Sequence, residues 1–220
     1  MTWEIFYTPH TDDESIGMAG AIVKARSLGH DVLVCLVTDN LPSTRGRNMF
    51  ADRDIDLVQQ RLMEWHHALD LLDVTERQVW GLTELDMPTH IRETRESIRT
   101  LMHTLHRTHR AVHHHAPWGM WDQNGGVGCL AHELCASAAF ELSYEYPAHV
   151  SLYGIYEYSK PPLKRYAPTM QSLSPQQHEI KRKALNAYYP QPGSIGYGYT
   201  SVPELMDAAK SDPREFVIEL

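Results

Sequence analysis

Cysteine is scarce in this chain: Cys35, Cys129 and Cys135 complete the set. An odd, sparse set is no disulfide framework, and a reducing cytoplasm is the expected setting. Positive charge is also short. Lys and Arg number 20 against 28 Asp and Glu, a net charge of −8. That balance argues against a general nucleic-acid backbone binder, which needs clustered Lys and Arg, and leaves room only for a local basic patch. No apolar run approaches the roughly 18–20 residues that a membrane span requires. The opening residues, Met1 to Tyr7, show neither a basic leader nor a cleavable apolar core, so no signal peptide is expected. Internal repeats and low-complexity tracts are missing as well.

What is present is an ordinary globular composition with one oddity. Hydrophobic residues reach 42% and charged residues 22%, enough apolar material for a real core in 220 residues. The oddity is 14 histidines in an acidic chain. Nothing marks a second independent domain, so one domain over residues 1–220 is expected, less regular from about residue 150.

Hydrophobic periodicity alternates between the two repeating structures. Strands are predicted over Trp3–Tyr7, Asp31–Thr38, Arg77–Leu82 and Arg110–His115. Helices are predicted over Ser15–Leu28, Asp52–Leu72, Thr89–Arg107 and Ala131–Leu142. The run Val32-Leu33-Val34-Cys35-Leu36-Val37 is apolar throughout, the mark of a strand buried on both faces, as in a parallel sheet. Residues 40–48 and 118–128 read as loops. Later come a strand near His149–Tyr158, a helix near Pro175–Tyr188 and a Gly/Pro-rich stretch. The alternation implies βαβ units: an α/β, Rossmann-like, mostly parallel sheet with helices on both faces. Ligands in such sheets bind beyond the C-terminal ends of the strands.

That rule directs attention to Pro9-His10-Thr11-Asp12-Asp13-Glu14, at the exit of the first strand. The plain alternative is a capping box, with Thr11 at the N-cap, Glu14 at N3 and first-turn acids favouring the helix dipole. The chemical alternative is a metal site. His10 offers an imidazole and Asp13 a carboxylate, both normal zinc ligands, and a third ligand must come from elsewhere. Asp12, if it does not ligate, is free to take a proton from an activated water.

Pro9-His10-Thr11-Asp12-Asp13-Glu14, followed by Gly17 and Gly20, resembles the (A/P)-H-P-D-D-E signature of the PIG-L/LmbE-like family of zinc-dependent N-deacetylases. Three further segments fall in the family's order. Arg61-x-x-Glu64-x-x-x-Ala68-x-x-x-Leu72 resembles its R-x-x-E-x-x-x-A-x-x-x-L helix. Gly128-Cys129-Leu130-Ala131-His132 stands where the family has G-H-P-D-H. Lys183-Ala184-Leu185-x-Ala187-Tyr188-x-x-Gln191 resembles its late K-x-x-A-L-x-A-Y-x-S-Q stretch. The resemblance runs from about residue 3 to residue 191. It implies an LmbE-like fold, Zn2+ held by His10, Asp13 and His132, and Asp12 as the general base. Arg61 is implied as a substrate-binding residue, its planar fork of donors suited to sugar hydroxyls or a phosphate. The alternative for Arg61 is a surface pair with Glu64, worth under about 1 kcal/mol. An acidic sugar contact is implied after the third strand, for which Asp86 is taken and Glu84 is the rival. Among His113, His114 and His115, strand alternation sends the first and third to one face, and His115 is taken to reach the substrate.

Three departures from the family bear on the site. Thr11 replaces a proline, a mild change. Cys129 and Ala131 replace a histidine and an aspartate that in the family orient groups and stabilise the transition state. Cys129 as a fourth ligand would close zinc's open position, so an ordinary partly buried thiol is expected there. His103, His106 and His109 follow a helical spacing of three and read as a solvated face. The loop Pro117–Asn124 is rich in aromatic and amide groups, suited to carbohydrate stacking or to plain packing. The expected partner is a small acetylated amino sugar or conjugate, with no general nucleic-acid binding and no membrane span. A metal- or sugar-binding module that has lost hydrolysis is the alternative. A metal-free nucleotide-binding domain is disfavoured because no G-x-G-x-x-G follows the first strand.

Overall fold

The computed structural model describes residues 2–41, 44–110, 113–119, 129–146, 149–155 and 169–220. Strand β1 (Trp3–Thr8) leads through a π-helical turn (Glu14–Met18) into α1 (Ala19–Ser27) and then β2 (Asp31–Thr38). A short α2 (Thr44–Met49), α3 (Leu57–Leu71) and β3 (Glu76–Leu82) follow. After a 3-10 turn (Glu84–Asp86) come α4 (Ile91–His109), β4 (His113–Pro117), α5 (Leu130–Glu145) and β5 (His149–Tyr153). The remainder supplies β6 (Thr169–Ser172), α6 (Pro175–Asn186), α7 (Tyr197–Ser201), α8 (Pro203–Ser211) and β7 (Arg214–Glu219).

One seven-stranded sheet collects strands from residue 3 to residue 219, in the order β3-β2-β1-β4-β5-β7-β6. The first five are parallel, and β7 and β6 close the edge antiparallel. The α/β, mostly parallel architecture predicted from the alternation is therefore the one found. β2 shows why. Val32, Val34 and Leu36 pack with Trp65, Leu69 and Ile22 on one face, while Leu33, Cys35 and Val37 pack with Ile98, Met102 and Leu134 on the other. A strand sandwiched this way has no polar face to show in its sequence. On α4 the apolar positions Ile98, Met102 and Leu105 recur every three or four residues and face the sheet.

Several elements differ from the sequence reading. The first helix starts as a π-helical turn, and its start carries no side-chain cap. Glu14 turns inward to Tyr188 (2.6 Å) and Ser15 (2.7 Å), so the Thr11–Glu14 capping box does not form. A helix, α2, occupies part of the predicted 40–48 loop. The helix predicted from Asp52 begins at Leu57, where Asp56 caps it by accepting from the Gln59 N–H (3.0 Å). α7, α8 and β7 have no counterpart in the sequence reading. β7 is nonetheless tied to the N-terminal half: Glu215, fully buried, accepts from Gly20 N–H (2.7 Å) and lies 3.6 Å from the equally buried Lys181. The expected strand beyond residue 155 and most of the aromatic 118–128 loop lie outside the described residues.

The order 2-1-4 matters for function. β1 passes its chain to β2 on one side while β4 flanks it on the other. The connections leave the C-terminal ends of β1 and β4 in opposite directions, which opens a crevice there.

Candidate metal centre

The crevice is reached first by the turn after β1. Thr38, at the end of β2, donates its hydroxyl to the Pro9 carbonyl (2.7 Å) and fixes that turn. The Asp13 carboxylate then bends back to accept the His10 backbone N–H (2.8 Å). α5, which begins just past the exit of β4, carries His132 in its first turn. His132 is wholly buried and Asp13 nearly so, while His10 keeps some access to solvent.

Three donor atoms meet. His10 Nδ1 lies 3.2 Å from His132 Nε2, His132 Nε2 lies 3.1 Å from Asp13 Oδ2, and Asp13 Oδ2 lies 3.4 Å from His10 Nδ1. Ligands at about 2.0–2.1 Å from a tetrahedral ion stand roughly 3.3 Å apart. The triangle thus has the dimensions of a metal face, and its donors, two imidazoles and a carboxylate, are those of a zinc-type ion. His10 Nε2 points the other way, toward Glu84 Oε1 (3.3 Å) and Cys129 Sγ (3.7 Å). One donor atom each of His10, Cys129 and His132 also falls within 4.8 Å of the others, so the thiol borders the triangle on the Nε2 side of His10.

Electrostatics follow from crowding charge in a buried place. Burial alone would raise the Asp13 carboxyl, but the imidazoles of His132 and His10 outweigh it and hold it well below the usual range. Burial and the adjacent Asp13 charge push Asp12 up to about 6. Burial would lower His10, yet Cys129 and Asp13 raise it. Burial opposes ionisation of the Cys129 thiol, and His132 and His10 more than compensate, so it is lowered.

A cavity of about 410 Å³ opens over the triangle, with Asp12, Glu84, Cys129, Arg61 and Tyr197 among its walls. Arg61 is no surface partner of Glu64. Its Nη1 donates to the carbonyls of Asn40 and Leu41 (2.9 Å each), and its guanidinium lies over the Tyr197 ring at 4.7 Å. Asn40 adopts a left-handed backbone (φ 58°), an uncommon state for a residue with a side chain. Glu64 instead accepts from the N–H groups of Tyr197 (2.9 Å) and Gly198 (3.1 Å) and from Ser194 (2.8 Å). It thereby sets the turn that carries Tyr197, a link between residue 64 and the Gly/Pro-rich tail that spacing in the sequence does not reveal.

Of the sequence-predicted residues, His10, Asp12, Asp13, His132 and Arg61 come together here. Asp86 does not. In a 3-10 turn residues two apart point in different directions, and Glu84 faces the cavity while Asp86 is exposed. His115 does not either. It is paired in register with Phe6, short of the end of β1, and its ring reaches back to Glu4 (2.9 Å) at the opposite end of the sheet. The expected solvated histidine face on α4 is also corrected. His103 is buried near Tyr146, His106 lies 3.1 Å from His114 and His109 packs on Trp3, because this stripe of α4 faces α5 and β4.

Residues 5–142 match the family model described as PIG-L, GlcNAc-PI de-N-acetylase. The chain belongs to the PIG-L family. The matched stretch runs from β1 into α5 and contains all three donors of the triangle. No curated protein matches the chain. Solved structures share the PIG-L fold at low identity. The zinc-inhibited form of teicoplanin deacetylase Orf2 is 16% identical with a TM-score of 0.69, covering 100% of this chain and 99% of its own. N,N′-diacetylchitobiose deacetylase from Pyrococcus horikoshii is 16% identical with a TM-score of 0.63, covering 100% of this chain and 84% of its own. GalB, the 4-carboxy-2-hydroxymuconate hydratase from Pseudomonas putida KT2440, is 13% identical with a TM-score of 0.67, covering 100% and 96%. The fold therefore hosts more than one chemistry, and the site must carry the functional argument.

Proposed function

We propose that this chain is a zinc-dependent N-deacetylase acting on an acetylated amino sugar or a related acylated amine. The observation that carries this reading is the 3.1–3.4 Å triangle of His10, Asp13 and His132 beside Asp12, at the foot of an open cavity. These three residues would hold Zn2+, which when bound lowers the pKa of water and polarises the amide carbonyl. Asp12 takes the proton from the attacking water as the new C–O bond forms. It then returns that proton to the nitrogen as the C–N bond breaks, so the products are acetate and a free amine. A carboxyl poised near 6 suits both halves of this task near neutral pH. Arg61, anchored by two carbonyls and Tyr197, presents its remaining donors to substrate hydroxyls or phosphate, and Glu84 accepts from sugar hydroxyls on the facing wall. Three free thiols, two of them buried, support a reducing, cytoplasmic setting. No helix among the described residues is long and apolar enough to cross a membrane.

The test is Asp12→Asn and His132→Ala in a deacetylation assay that also quantifies metal. The first variant should keep its zinc and lose acetate release, and the second should lose both. Wild-type activity and zinc content in both variants would sink the mechanism.

One observation favours a second reading, a binding module without hydrolysis. Cys129 Sγ stands 3.7 Å from His10 Nε2, and the buried Ala131 offers no carboxylate where the family has one. A thiolate in the fourth position leaves no open coordination site. Bound zinc without acetate release from a broad panel of N-acetyl sugars, together with a thiolate-to-cobalt charge-transfer band, would establish this reading in place of the first.

A further inference from the structure

A second cluster of potential ligands lies at the other end of the same strands. Glu4 and His113 are register partners at the N-terminal ends of β1 and β4. His115, two residues further along β4, shares their face. The Glu4 carboxylate is claimed at both oxygens: Oε2 lies 2.9 Å from His115 Nε2, and Oε1 lies 2.5 Å from His30 Nδ1, in the turn between α1 and β2. The rings of His113 and His115 stack at 4.2 Å. One donor atom each of Glu4, His113 and His115 falls within 4.8 Å of the other two.

Hydrogen bonding leaves one donor atom of this set unused: His115 Nδ1 is buried without a hydrogen-bond partner. His113 is a third imidazole. Its Nε2 faces Ser151 Oγ (2.7 Å), which in turn donates to Glu219 Oε2 (2.6 Å), so a second carboxylate stands behind it. The exposed Lys24 on α1 is a nearby positive charge.

The donor set is one carboxylate and two imidazoles, groups that ligate divalent transition-metal ions. Glu4 and His115 are buried, whereas about a quarter of the His113 and His30 side chains stays open, so an ion has a way in.

We propose that Glu4, His113 and His115 form a second divalent-cation site, selective for zinc or a similar first-row ion, with His30 bracing the outer oxygen of Glu4. Two imidazoles and one carboxylate disfavour Mg2+ and Ca2+, which take all-oxygen shells. The ion pins β1 to β4 in the middle of the sheet. This role is independent of deacetylation.

The experiment uses the full chain, stripped by chelation and titrated with Co2+ and then Zn2+. Bound metal is quantified, the visible Co2+ spectrum recorded and folding checked by circular dichroism. In His132→Ala, which disables the triangle, a single equivalent should remain, with nitrogen/oxygen-type cobalt bands and no thiolate charge transfer. Adding Glu4→Gln should abolish it. Adding the milder His113→Gln, at a partly exposed position, should weaken it at least about 100-fold, more than loss of an outer-sphere partner costs. The single His113→Gln variant should still release acetate at the wild-type rate. The proposal fails if folded His132→Ala binds neither ion, or if His113→Gln leaves its affinity unchanged. The deacetylase reading fails separately, when wild-type chain releases no acetate.

Discussion

The two ends of the central strands invite comparison because they use the same residue types for different ends. At the C-terminal end, His10, Asp13 and His132 form a tight triangle under an open cavity with Arg61 and Glu84 on its walls. At the N-terminal end, Glu4, His113 and His115 form a looser group, closed on its inner side and bound into hydrogen bonds with His30 and Ser151. The first is held by loops and a helix start beyond the sheet, where side chains can face a substrate. The second grows from within the strands, where register fixes each side chain against a neighbour. Chemistry needs room as well as ligands, and in this fold room opens where the connections part.

The largest expected effect breaks the C-terminal end only. Asp12→Asn removes the proton acceptor while leaving all three donors, so acetate release should fall by about 10²–10⁴-fold. Zinc content and melting temperature should stay near wild type. A variant that loses its metal instead would show that Asp12 is a ligand.

Acid should weaken the N-terminal end first. His113 and the buried His114 are each pushed down to about 3 from 6.5, chiefly by burial, and Glu4 is held at about 2 from 4.5. In all three the unfolded chain binds more protons as pH falls. Stability present at pH 7 is therefore lost from about 6.5 downward for the histidines and from about 4.5 downward for Glu4. In the metal-free protein the melting temperature should drop steeply between pH 7 and 4. His113→Gln should flatten that slope; an unchanged slope would place the titration elsewhere.

Packing at the C-terminal end can be probed through Gly17. A Cβ there would meet Gly154 O at 2.7 Å and Ile155 Cδ1 at 2.6 Å. Gly17→Ala should destabilise the chain by about 1–3 kcal/mol through overpacking, read by denaturant unfolding. It should also lower activity, because the π-helical turn that it displaces carries Asp13 at its start. Loss of stability with full activity would mean that the turn and the triangle are uncoupled.

The smallest effect sharpens the role of the cavity wall. Arg61→Lys keeps the charge but loses the planar fork that spans two carbonyls and the face of Tyr197. KM should rise by about tenfold, or 1.4 kcal/mol, with kcat and zinc content little changed. A fall in kcat at constant KM would reassign Arg61 to the reacting centre.

Legibility follows locality. β2 is readable because burial on both faces leaves an unbroken apolar run, and the β1 exit because its candidate donors are adjacent in the chain. α7, α8 and β7 are not readable, since short elements packed by distant partners carry little periodicity of their own. Glu84 and Asp86 have the same chemistry, and only the pitch of their turn separates them. Histidine type also misleads: His103, His106 and His109 look solvated by spacing, yet α4 turns them toward α5 and β4.

By itself the sequence determined the α/β alternation and the adjacency of His10, Asp12 and Asp13, residues of metal-ligating and proton-accepting type, at the exit of the first strand. Those properties are written in local spacing, whereas His132 is pointed to only by the resemblance to the PIG-L family. The tertiary structure alone decided that Cys129 sits beside His10, that Glu84 rather than Asp86 faces the cavity, that Glu64 holds the Tyr197 turn and that His115 joins Glu4 at the far end of the sheet. Each of these depends on strand register or on contacts between segments far apart in the chain, and neither is encoded in the spacing of any one segment.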